Sequence, residues 1–136
     1  MIGLVCDSPN NIDIKEFSDN NITIFSSSQI IPDNPRLSLF SKCMSYHFEG
    51  VIITTNLKDT LSVIDNSICE KKVFWVSSIL WHKNNPLFYR DILKVFHNMD
   101  IKILAKDENI FNILKSFIRE PDGIMGSIDI EKILEV

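Results

Sequence analysis

Five short apolar runs, Ile2–Cys6, Ile22–Phe25, Val51–Thr54, Val73–Val76 and Ile101–Leu104, recur along the chain. From the third onward they alternate with stretches in which apolar residues return every three or four positions. That alternation predicts strands joined by helices, the pattern of a mostly parallel sheet covered on its faces. Ile2–Cys6 is apolar throughout, as a strand buried on both faces would be, and Asp7-Ser8-Pro9-Asn10-Asn11 after it is dense in turn formers. Little helical period precedes Ile22–Phe25, so the second strand is expected beside the first without a full crossover helix.

Leu37, Phe40, Met44 and Phe48 fall at helical spacing behind Pro35 and predict an amphipathic helix that Gly50 ends. Leu57, Leu61 and Ile64 predict a short helix, and Pro86 opens another with Leu87, Tyr89, Ile92, Leu93 and Phe96 toward the sheet. Asp107 is the expected N-cap of a further helix bearing Ile110, Ile113, Leu114 and Phe117. A short strand near Ile124–Met125 and a terminal helical turn from Asp129 to Leu134 complete the order. The expected fold is α/β: a single Rossmann-like, doubly wound domain over residues 1–136, with a mostly parallel sheet of five or six strands.

Composition narrows the function classes. At 136 residues, 45% hydrophobic and 24% charged, the chain matches an ordinary globular domain with one core. Its net charge of -4 gives no electrostatic footprint for nucleic acid. Met1 to Asp7 lacks the basic start of a signal peptide, and no apolar run approaches the roughly 20 residues that cross a bilayer, so no membrane association is expected. Cys6, Cys43 and Cys69 share no C-x-x-C spacing and suit a reduced, cytosolic chain in which each acts as a small hydrophobe. Alanine occurs only at Ala105 and arginine only at Arg36, Arg90 and Arg119, the bias of an AT-rich coding sequence such as that of a virus or a streamlined bacterium.

In a parallel sheet, working residues lie beyond the carboxyl ends of the strands. On that edge the sequence places Asp7, Ser8 and Asn10 after the first strand, Thr54, Thr55 and Asn56 after the third, Ser77, Ser78, Trp81 and His82 after the fourth, and Lys106 with Asp107 after the fifth. Asp7 and His82 are the candidate catalytic residues, paired as carboxylate and imidazole, with Asp7 and Asp107 as the alternative acid–base pair; the others are candidate ligand-binding residues. His47, His82 and His97 are too dispersed for a metal cluster, so no metal is expected. There is no G-x-G-x-x-G after the first strand, no phosphate loop and no nucleophile elbow, so no cofactor is expected either.

Gly50-Val51-Ile52-Ile53-Thr54-Thr55-Asn56-Leu57, then Lys72-Val73-Phe74-Trp75-Val76 with Leu80-Trp81, then Lys102-Ile103-Leu104-Ala105-Lys106-Asp107-Glu108, resembles the amino-terminal Rossmann-like half of GT-B glycosyltransferases. It is also similar to short glycosyltransferase-like proteins of T4-like marine phages, whose ending Asp129-Ile130-Glu131-Lys132-Ile133 resembles. GT-B enzymes hold the nucleotide-sugar mostly in a second domain, so the resemblance carries over no donor-binding residues, and no D-x-D metal motif is present. It implies a non-catalytic structural or protein-interaction component of a tailed phage particle, with virion or other protein subunits as partners, in the host cytoplasm or the virion. A small glycosyltransferase binding a sugar nucleotide at the carboxyl edge and a small-molecule-binding regulator remain the alternatives.

Overall fold

Strand β1 (Ile2–Cys6) is buried at all five positions, which is what a continuous apolar run achieves only between two neighbours and under two covered faces. In the computed structural model, which describes residues 1–7, 22–28, 37–79 and 89–136, those neighbours are β2 (Ile22–Ser26) and β4 (Val51–Thr54), both parallel to it. Leu4 aligns with Ile24 on one side and Ile53 on the other. Beyond them lie β3 (Leu37–Ser41), β5 (Lys71–Val76), β6 (Ile101–Ala105) and β7 (Gly123–Ile124), giving one seven-stranded parallel sheet of order β3-β2-β1-β4-β5-β6-β7. The chain moves outward from β1 in one direction and then, from β4, in the other.

A 3-10 helix (Lys42–His47) and helices α1 (Leu57–Asn66), α2 (Tyr89–Phe96), α3 (Glu108–Phe117) and α4 (Ile130–Glu135) complete the described order. Alternate strand residues feed two apolar layers. Ile2, Leu4, Ile24, Ile53, Val73 and Leu104 form one apolar layer with Ile130 and Ile133 of α4. On the opposite face Phe74, Ile101 and Ile103 meet Leu57, Val95, Phe96, Ile110 and Leu114, while Val5, Phe25 and Ile52 meet Val63 and Phe48. Helix termini are closed from the sequence: Asp107 accepts from the Ile110 amide at 2.8 Å, and Lys71 Nζ donates to the carbonyls of Ile133 (2.9 Å) and Leu134 (3.3 Å) at the end of α4.

The strand count corrects the expectation of five or six, and the extra strand is β3. Leu37-Ser38-Leu39-Phe40-Ser41 carries both a helical and a two-residue period. The strand prevails because β2 would otherwise be an edge: Ile22 pairs with Leu37 and Ile24 with Leu39. The predicted amphipathic helix shrinks to the 3-10 turn, on which Met44 stays exposed. Phe40 and Phe48 instead both pack on Phe25, with centroids 6.3 and 5.6 Å away. The entry through Pro35, the opening at Pro86 and Leu87, and the link between β1 and β2 lie outside the described residues.

Gly50 sits where β4 starts against the amino terminus. A Cβ there would be driven into the Met1 carbonyl, which accepts from the Val51 amide at 3.1 Å, and would lie 3.0 Å from the Phe48 ring. Gly50→Ala is therefore expected to destabilise by about 1–3 kcal/mol, read as a lower urea midpoint.

Candidate functional site

The strand order reverses between β1 and β4, and in open parallel sheets the crevice outside the carboxyl ends at that reversal is where ligands bind. Here the crevice is a pocket of about 370 Å³. It is walled by Val5 and Asp7 from β1 and its end, Ser27 after β2, Lys42, Ser45 and Tyr46 from the 3-10 helix, and Lys58, Asp59, Ser62 and Val63 from α1.

Local sequence builds each wall. Asn56 caps α1: its Oδ1 accepts from the Asp59 amide at 2.8 Å while its Nδ2 donates to Asp59 Oδ2 at 2.6 Å, a reciprocal capping arrangement at three-residue spacing. That fixes Asp59, whose side chain is 8% exposed, so that its other oxygen accepts from Lys42 Nζ at 3.0 Å. Lys42 Nζ also donates to Asp7 Oδ1 at 2.5 Å. Ser45 Oγ donates to the Lys42 carbonyl at 2.6 Å and holds the 3-10 turn closed. The Asp7 carbonyl accepts from Ser26 Oγ at 2.9 Å and Ser27 Oγ at 3.0 Å, tying the end of β1 to the end of β2.

Burial pulls the Lys42 ammonium toward a lower pKa, but its hydrogen bonds to Asp7 and Asp59 outweigh that and leave it above the ordinary lysine value. Lys42 is therefore a full positive charge at neutral pH, bridging β1 to α1 from the 3-10 helix. Cys6, just before Asp7, goes the other way in reactivity: burial pushes its thiol up to about 11, against a smaller lowering by Lys42, so it is protonated and unreactive near pH 7.

The Cys6 shift has a stability signature. Between about pH 9 and 11 an unfolded chain releases the Cys6 proton while the folded one keeps it. The stabilisation is thus fully present below pH 9 and declines through that window, by about 2–3 kcal/mol at most. Lys42 holds its own contribution until the pH passes its raised folded value. Cys6→Ala is expected to lose less stability than the wild type between pH 8 and pH 11, measured by urea denaturation at each.

Of the residues singled out from the sequence, Asp7 lines the pocket and Asn56 supports it through Asp59. Thr54 is buried outside the pocket lining, its hydroxyl paired with Thr60 Oγ1 at 2.7 Å, and Thr55 is half-buried in the turn between β4 and α1. Ser77, half-buried, and Ser78, exposed, follow β5, two strands from β1. Exposed Lys106 and the capping Asp107 follow β6, about 14 Å from β1 at ordinary strand spacing, so the carboxyl edge does not gather all the candidates into one pocket. Ser8, Asn10, Trp81 and His82 lie outside the described residues. Among the described residues no group of acids, cysteines and histidines is placed to hold a metal, and no helix is long and apolar enough to cross a membrane.

Sequence reasoning missed Lys42, Asp59, Tyr46 and Lys58. Lys42 and Tyr46 were hidden inside the stretch with helical period. Asp59 had a legible signal, the Asn56-x-x-Asp59 capping spacing, although nothing in it reveals the partner across the crevice. No family model, no curated protein and no solved structure matches the chain.

Proposed function

We propose that the protein is a Rossmann-like domain without catalysis of its own, acting as a binding or interaction component rather than as a transferase. The observation that carries this is the Asp7–Lys42–Asp59–Asn56 network: at the reversal of the sheet, where an enzyme of this architecture would present reactive groups, these side chains bond one another and brace three elements. The strand order and the two-sided covering support the Rossmann-like reading. The likeness to short glycosyltransferase-like phage proteins, together with the AT-type residue usage, favours a tailed phage as the setting and protein subunits as partners.

Incubated with UDP-, GDP- and CMP-sugars, the purified protein is expected to release no nucleotide, and to migrate in solution above the mass of one 15.7 kDa chain. Sustained release of nucleotide from any of these sugars overturns the reading and makes the small glycosyltransferase the better one. The pocket at the β1–β4 crevice favours a second reading within the non-catalytic class, a regulator that binds a small molecule there.

A further inference from the structure

The two bonds of Lys42 are unequal. Asp59 is 8% exposed and is also held by Asn56, so its bond to Lys42 compensates a buried carboxylate. The Asp7 side chain is 75% exposed and bonds nothing else among the described residues, the kind of ion pair that contributes little and opens readily. Lys58 lines the same pocket and, among the described residues, makes no ion pair. While Asp7 is in place, the four charged side chains among the described residues lining the pocket cancel, two acids against two lysines. With Asp7 turned out to solvent, Lys42 is still balanced by Asp59, and Lys58 leaves the described lining positive by one charge.

We propose that this pocket receives a small phosphate-bearing molecule, whose phosphate takes the place of the Asp7 carboxylate on Lys42 Nζ and meets Lys58 with a second oxygen. Asp7 is then an internal occupant that any such ligand must displace. The ammonium has three donors and the Asp7 carboxylate already shows the geometry in which one of them reaches an oxyanion. Tyr46, Ser27 and Ser62 supply hydroxyl-bearing walls, and the volume of about 370 Å³ falls within the range of small-molecule sites. The proposal rests on the non-catalytic reading above, in its small-molecule-binding form.

Calorimetric titration of the whole chain with inorganic phosphate, at constant ionic strength near neutral pH, tests it. Asp7→Asn removes the competing charge, so phosphate is expected to bind about three- to tenfold tighter than to the wild type, while Lys58→Met binds it about three- to tenfold more weakly. Both residues are exposed, and unchanged melting curves confirm that each variant is folded. An Asp7→Asn affinity no higher than wild type, an affinity indifferent to Lys58→Met, or no binding to either protein overturns the proposal. None of these outcomes touches the nucleotide-release assay, so failure here and failure of the non-catalytic reading are distinguishable.

Discussion

Lys42→Met is expected to lower the unfolding free energy by about 2–4 kcal/mol at pH 7, whereas Asp7→Asn should change it by less than about 1 kcal/mol. Both substitutions break the same network, but they strand different partners. Methionine keeps the length of the lysine stem while leaving the Asp59 carboxylate, 8% exposed, with Asn56 and no cation. A buried charge without its counter-ion is the costly case; the figure sits below the full buried-pair range because the Lys42 side chain is 26% exposed and water reaches it. Asp7, by contrast, returns to solvent that already surrounds it. Urea denaturation of the two variants reads the difference directly. In a cycle with Asp59→Asn, the double variant Lys42→Met/Asp59→Asn should recover much of the loss, since removing both partners leaves no orphaned charge. Equal, small effects of Lys42→Met and Asp7→Asn would mean that the network is solvent-screened throughout and does not brace the crevice.

Phe74→Ala is expected to cost about 3–5 kcal/mol, the largest single effect in the sheet. Phe74 lies in β5, one strand from the reversal, 1% exposed, with the Phe96 ring of α2 at 5.9 Å. Truncation removes the contact between that strand and α2 together with the packing against Ile103, its register partner on β6. A surrounding parallel sheet cannot collapse into the hole without shifting its hydrogen-bond ladders. The neighbouring Trp75 faces the other layer, where its indole N–H donates to the Met125 carbonyl at 2.7 Å, so the two adjacent aromatics hold opposite faces. Tyr89→Ala serves as the control: at 73% exposure it should stay within about 0.5 kcal/mol.

Those aromatics show where reading by residue type stops. Trp75, Trp81, Phe88 and Tyr89 belong to classes enriched at interfaces, but Trp75 is packed and bonded within the chain while Tyr89 stands in solvent. Alternation along β5 assigns a face to each residue, yet whether that face is covered depends on α4, some fifty positions later in the chain. The two described histidines stand outside the core as well: His47 ends the 3-10 helix and His97 follows α2, both exposed.

What the sequence by itself determined is the local part of this protein. Continuous apolar runs made β1, β4, β5 and β6 strands buried on two faces, and short polar residues at helix starts, Asn56, Asp107 and Asp129, set the first turns of α1, α3 and α4. Both signals act over a few residues, so periodicity and side-chain chemistry suffice to read them. Tertiary structure alone decided that Leu37–Ser41 is a strand, because two periods coexist there and only the open edge of β2 selects between them. It also decided the site. Asp7, Lys42 and Asp59 are separated by 35 and 17 positions, and their meeting depends on the order of strands across the sheet, which places the end of β1 beside the start of α1. An ion pair across such a crevice has no local pattern, since its energy comes from burial and proximity that exist only once the strands have paired.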